Sequence, residues 1–166
     1  MRCGRRLRSG CWPRSGMCSP KQRVYVLVGL PAAGKSTWLA RRGVTALSSD
    51  AMRLLLRDDE ADQTIHAQVF ALLRRLLRMR LELGAAASYI DATNLTRRER
   101  RQWIKLADWY GAECVAVYFD VPLAVCLERN AGRQRVVPPE AMERLAKRLS
   151  PPEMAEGFAS IEVVPI

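Results

Sequence analysis

Gly29, Gly34, Lys35 and Ser36 stand at Gly-x4-Gly-Lys-Ser spacing inside the stretch VYVLVGLPAAGKSTWLARRG, Val24 to Gly43. An apolar run precedes the loop and a helix-like run follows it, which is the context in which this spacing binds phosphate. Glycines let the backbone curl so that successive N–H groups point inward, and the helix N-terminus adds its positive dipole end. Lys35 supplies a mobile cation and Ser36 offers a hydroxyl to Mg²⁺. Gly29, Leu30, Pro31, Ala32, Ala33, Gly34, Lys35, Ser36 and Thr37 are therefore the expected cradle for the β- and γ-phosphates of a nucleotide, with ATP and GTP not distinguished by the loop. Gly29 belongs where the loop turns, and Gly34 where backbone approaches phosphate closely.

Phosphate binding alone serves switches, motors and kinases alike. Three further groups bear on the choice. Asp50 and Arg53, in SSDAMR, share a helix face just past a strand end, where ligands of open α/β sheets collect. The carboxylate there suits aligning or deprotonating an acceptor hydroxyl, and the arginine suits gripping an anionic group on the same acceptor. A solvent-facing i,i+3 ion pair is the plainer alternative. Asp91, at another strand end, suits Mg²⁺ through water, or a turn cap with Thr93 and Asn94. Arg129, Arg133 and Arg135 flank a loop at Gly132, fit either to close over a transferring phosphoryl group or to stand as a solvated basic loop.

The elements that must position these groups alternate. Val24 to Val28 reads as a strand and Lys35 to Arg42 as a helix, and Val44 to Leu47 as a second strand. Ile65, Val69, Leu72, Leu73, Leu76 and Leu77 mark a helix by their three-to-four residue spacing. Ala87 to Ile90 is a strand. Thr96 and Glu99 form a capping box that opens a helix to about Tyr110, where Gly111 stops it. ECVAVYF is a strand, Pro122 starts a helix, Glu140 to Leu149 forms another, and SIEVVPI is a last strand. This order predicts an α/β domain of the P-loop NTPase type, a parallel sheet with helices on both faces and a kinase-type lid.

A chain of 166 residues with 49% apolar composition leaves room for one core. The net charge of +10 favours phosphate-bearing partners, although arginine-rich composition has other origins. Residues 1–22 carry no acidic residue and three of the five cysteines, and read as a basic, disordered tail ahead of a domain at 23–166; a start at Met17 would lower the charge to +5. No run approaches the ~20 apolar residues of a membrane helix. Cys114 and Cys126 read as core thiols, and the odd cysteine total fits a reducing, cytoplasmic setting. His66 has no companion at metal-ligand spacing, and Trp38, Trp103 and Trp109 are expected in the core. The oligomeric state is left open.

GLPAAGKST, SSDAMR, DDEADQ, IDATN and CLERNAGR together resemble the kinase domain of the phage and bacterial polynucleotide 5′-kinases, within the adenylate-kinase-like group of phosphate-loop kinases. The resemblance runs from about Val24 to Leu149. It implies transfer of the ATP γ-phosphoryl group to the 5′-hydroxyl of DNA or RNA. Asp50 would then act as general base, Arg53 would hold the neighbouring 3′-phosphate, and Arg129 and Arg133 would contact the donor phosphates. Members of that group are commonly joined to a phosphatase or ligase domain, for which this chain has no room. A kinase of a small-molecule hydroxyl and a non-kinase ATP-binding module are the competing readings.

Overall fold

The computed structural model describes residues 21–165; residues 1–20 of the tail expected at 1–22, with Cys3, Cys11 and Cys18, lie outside them, while Gln22 already donates through Nε2 to the Leu81 and Ala85 carbonyls at 3.1 and 3.0 Å. Five strands form one all-parallel sheet: β1 (Arg23–Val28), β2 (Leu47–Ser48), β3 (Ala87–Asp91), β4 (Glu113–Phe119) and β5 (Ser160–Val164), in the spatial order β2-β3-β1-β4-β5. The helices are α1 (Lys35–Arg41), α2 (Ser49–Arg57), α3 (His66–Glu82), α4 (Arg97–Trp109), α5 (Leu123–Ala131) and α6 (Pro139–Arg148), with a short 3-10 turn at Met154–Glu156. The chain runs outward from β1 to one edge, returns through β3, and then crosses to β4 and β5. The strand order therefore reverses beside β1, and a crevice opens at its C-terminal end.

Both faces of the sheet are covered, so its central strands are apolar throughout rather than alternating with polar residues. Val24, Val26 and Val28 join Val69, Leu73, Leu77 and Leu81 of α3 and Trp103 and Ala107 of α4 in one core. Leu27, Val117 and Phe119 face the other way, onto Leu39 of α1, Cys126 of α5 and Met142 of α6. The thiol of Cys114 is pushed up to about 12 by burial alone, which makes it an inert core group. The capping box of α4 forms as the sequence predicts, Thr96 accepting from the Glu99 N–H and Glu99 from the Thr96 N–H.

Two expectations need correction. The second strand is Leu47–Ser48, not Val44 to Leu47, because it pairs with β3 alone and only where the polar Ser-Ser-Asp turn begins. Trp109 is not core: it is 85% exposed at the last residue of α4, where its side chain lies about 200° around the helix from the buried Ala107 two residues earlier. Trp103 is fully buried, and Trp38 is half-buried between Tyr89 and Phe119 with the Arg42 guanidinium 4.0 Å over its ring.

Candidate active site

The loop from Gly29 to Gly34 leaves β1 and enters α1 with two different constraints on its glycines. A Cβ at Gly29 would come to 3.0 Å from the Phe119 Cβ and 3.3 Å from the Phe119 carbonyl, so a side chain there would require the end of β4 to shift by a few tenths of an ångström. Gly34 caps α1 at φ 100°, a left-handed conformation that favours glycine, and a Cβ there would meet nothing within 4 Å. The close approach expected at Gly34 is thus to open space on the ligand side, while protein packing favours Gly29. No side chain caps α1, so its first N–H groups remain available to an anion.

Lys35 is 9% exposed, and its ammonium donates to the loop's own carbonyls, Gly29 O at 2.9 Å and Leu30 O at 2.7 Å. Burial lowers its pKa to about 8, against the raising charges of Asp91, Cys126 and Asp50; Arg133 lowers it further. The five groups therefore share one electrostatic neighbourhood. A cleft of about 640 Å³ runs over the loop and is lined by residues Pro31 to Trp38, by Phe119, and by Arg129 and Arg133 from the end of α5 and the loop after it. The phosphate loop and two of the three loop arginines thus meet. Arg135 turns elsewhere, donating to Glu60 O at 3.1 Å.

A second cavity of about 810 Å³ adjoins the first through Pro31. Ser48 caps α2 by accepting from the Ala51 N–H, which sets Asp50 on the first turn and Arg53 three residues on, both at the cavity wall. The Arg53 guanidinium is 4% exposed, so the pair is not the solvent-facing one that spacing alone allows. Its Nη1 donates to Asp50 Oδ1 at 2.8 Å and its Nη2 to Gln63 Oε1 at 3.3 Å, while Nε has no partner. Asp50 is 55% exposed on the cavity side. A buried cation in the cavity wall beside an accessible carboxylate is chemically suited to receive an anion next to a hydroxyl.

Asp91 ends β3, adjacent to β1, and burial raises its pKa. Among the described residues no three His, Cys, Asp or Glu side chains form a metal cage. Mg²⁺ is ordinarily held by one or two carboxylates, a hydroxyl, water and substrate phosphates, and Ser36 and Asp91 fit that donor set.

A family model described as AAA domain matches residues 24–152, most of the chain. The chain belongs to the AAA domain family. Within it, this AAA domain protein is 26% identical over 152 residues to the bifunctional polynucleotide phosphatase/kinase of Schizosaccharomyces pombe; the alignment covers 89% of this chain and 34% of that protein, about a third of its length. Its fold matches the Pnkp1/Rnl/Hen1 RNA repair complex with a TM-score of 0.66 at 22% identity, over 78% of this chain and 44% of that one. It also matches the APS kinase CysC of Mycobacterium tuberculosis, solved with AMPPNP and APS, with a TM-score of 0.53 at 20% identity over 87% and 89% of the two chains. These likenesses bear out the α/β P-loop kinase fold, and the first of them agrees with the resemblance to polynucleotide kinase domains carried by the sequence motifs.

Two residues of this AAA domain protein, Asn94 of IDATN and Asn130 of CLERNAGR, hold the site together in ways that sequence reasoning did not assign to them. Asn94, buried at φ 46°, donates to Leu27 O at 2.7 Å and accepts from the Trp103 indole N–H at 2.9 Å, pinning the loop after β3 beside β1. The neighbouring Gly29 N–H donates to Thr93 O at 3.1 Å, which joins that loop to the phosphate loop. Asn130, also buried, donates to Val137 O and accepts from Val137 N–H at 2.8 and 3.1 Å, clasping the arginine loop at both ends. An Asn three residues before an arginine is the available sequence signal for Asn130, but its partner backbone becomes visible only in three dimensions.

Proposed function

We propose that this domain transfers the γ-phosphoryl group of ATP to the 5′-hydroxyl of a nucleic-acid strand. The observation that carries the proposal is Arg53, a buried guanidinium in the wall of the second cavity, paired with the accessible Asp50 carboxylate. An acceptor bearing a phosphate next to its reactive hydroxyl satisfies both groups at once, and a polynucleotide 5′ end carries that pair. In this reading Lys35 leaves the Gly29 and Leu30 carbonyls for the donor phosphates, and the N–H groups of residues 34–37 cradle them. Arg129 and Arg133 neutralise charge that spreads over the transferring oxygens. Ser36, with Asp91 through water, would hold Mg²⁺, which when bound would supply charge neutralisation for the donor. Asp50 aligns the acceptor hydroxyl in line and accepts its proton late, since phosphoryl transfer demands positioning more than a strong base.

Labelled ATP incubated with a 5′-hydroxyl oligonucleotide tests this directly. Label on the oligonucleotide supports the proposal. Label confined to small-molecule alcohols points to the kinase of a small metabolite, and hydrolysis or binding without transfer points to a nucleotide-binding module.

A further inference from the structure

We propose that the groove between α3 and α4 carries the acceptor strand away from the active site, binding single-stranded nucleic acid downstream of the 5′ end. This rests on the function proposed above and extends it to a second site. The groove encloses about 950 Å³ on the outer side of the two helices. Phe70 lines the acceptor cavity and the next residue, Ala71, lines the groove, so the two open on neighbouring faces of α3. On α4, Glu99 stands in the cavity wall and Gln102, whose Nε2 donates to the Glu99 carbonyl at 3.0 Å, stands in the groove wall. Both helices begin at the edge of the sheet where the strands end, and both lead away from it.

The banks of this groove differ in chemistry. Arg74, Arg75 and Arg78 stand on α3, with Lys105 opposite on α4. Arg74 is engaged by Gln102 Oε1 at 2.7 Å, but Arg75, Arg78 and Lys105 have no ion-pair partner among the described residues. The acidic group in the groove, Glu82, accepts from the Tyr110 hydroxyl at 2.6 Å. Trp109 stands four residues beyond Lys105 with its indole almost wholly in solvent. Cations at i and i+3 on one bank and a bare aromatic face on the other match a chain that alternates phosphate and base. From Phe70 to Glu82 the helix rises ~18 Å, the length of about five stacked nucleotides at ~3.4 Å each. An acidic polypeptide would use the cations but has no need of the exposed indole.

The test uses the full chain and the double variant Arg75→Glu/Arg78→Glu, with Trp109→Ala as a second, charge-neutral variant; all three residues are exposed, and retained far-UV circular dichroism checks the fold. Transfer from ATP is measured to a twelve-nucleotide 5′-hydroxyl oligonucleotide and to a nucleoside 3′-phosphate. The expected result is a KM for the long acceptor raised about tenfold or more in the double variant, with kcat and the short acceptor unaffected. Anisotropy of a labelled oligonucleotide, read without catalysis, should show the slope of log Kd against log salt reduced by about 0.7 for each phosphate that the variant no longer neutralises. Equal loss for long and short acceptors, or none for either, overturns the groove while leaving the kinase. Oligonucleotide binding that depends on Arg75, Arg78 and Trp109 without transfer overturns the kinase reading but keeps the groove. No binding by the unmodified chain overturns both and leaves the groove to an acidic protein segment.

Discussion

Lys35 is held by burial at a pKa of about 8, and a triphosphate reverses the sign of its surroundings. Because the unfolded chain keeps this lysine protonated to about pH 10.5, the unfolded state binds more protons between about pH 8 and 10.5, and the residue's contribution to stability rises with pH across that window. Nucleotide binding favours the ammonium. Calorimetry at pH 8 in buffers of different ionisation enthalpy should therefore show net proton uptake on ATP binding, and affinity should fall as pH rises above 8; proton uptake that survives in Lys35→Ala would assign it to another group. Asp50 and Arg53 separate in a different way. Asp50→Ala should lower kcat on the order of 10²-fold while leaving donor binding nearly intact, because an aligning carboxylate acts chiefly in the transition state. Arg53→Ala removes a charge-assisted hydrogen bond of ~1.5–3 kcal/mol, so KM should rise roughly tenfold or more for acceptors with a 3′-phosphate and little for those without. Equal effects on both acceptors would favour a small-molecule kinase.

The arginine loop is an element with one internal clasp. Asn130 satisfies both the N–H and the C=O of Val137, and with that side chain gone the segment from Gly132 to Val137 is tethered mainly by Arg135 on Glu60. Asn130→Ala removes two hydrogen bonds worth roughly 1 kcal/mol each, and the cost should fall on ordering the loop over the donor. The expected outcome is a raised KM for ATP and a lowered kcat, with far less change in acceptor KM. Titration of ATP and acceptor separately distinguishes this from general unfolding, which would lower the active fraction without changing either KM.

At the scale of the molecule, Arg100 joins segments far apart in the chain. Fully buried, it pairs with both carboxylate oxygens of Glu156 at 2.9 and 2.6 Å, and its Nη1 donates to the carbonyls of Asn94, Leu95 and Ser150. It thus ties α4 and the loop beside the phosphate site to the segment that leads into β5. Removing one partner of a buried pair strands the other, so Arg100→Ala should cost roughly 3–5 kcal/mol in urea unfolding. A loss under about 1 kcal/mol would mean that water replaces the guanidinium at no great penalty.

The sequence by itself determined the phosphate loop, the parallel α/β architecture and the placing of Asp50 and Arg53 on one helical turn, because each depends on local spacing. Gly-x4-Gly-Lys-Ser shapes one loop, apolar runs of four to seven residues make buried strands, and residues three apart share a helix face. Tertiary structure alone decided the rest. That Arg53 is buried and short of a partner, that Arg133 joins Arg129 over the loop while Arg135 turns to Glu60, and that Asn94 and Asn130 act as clasps all depend on partners distant in sequence or on backbone groups that no side-chain pattern encodes. Trp109 shows the same boundary from the other side. Its residue type and helix favour the core, and only the position of α4 against the sheet leaves the indole in water.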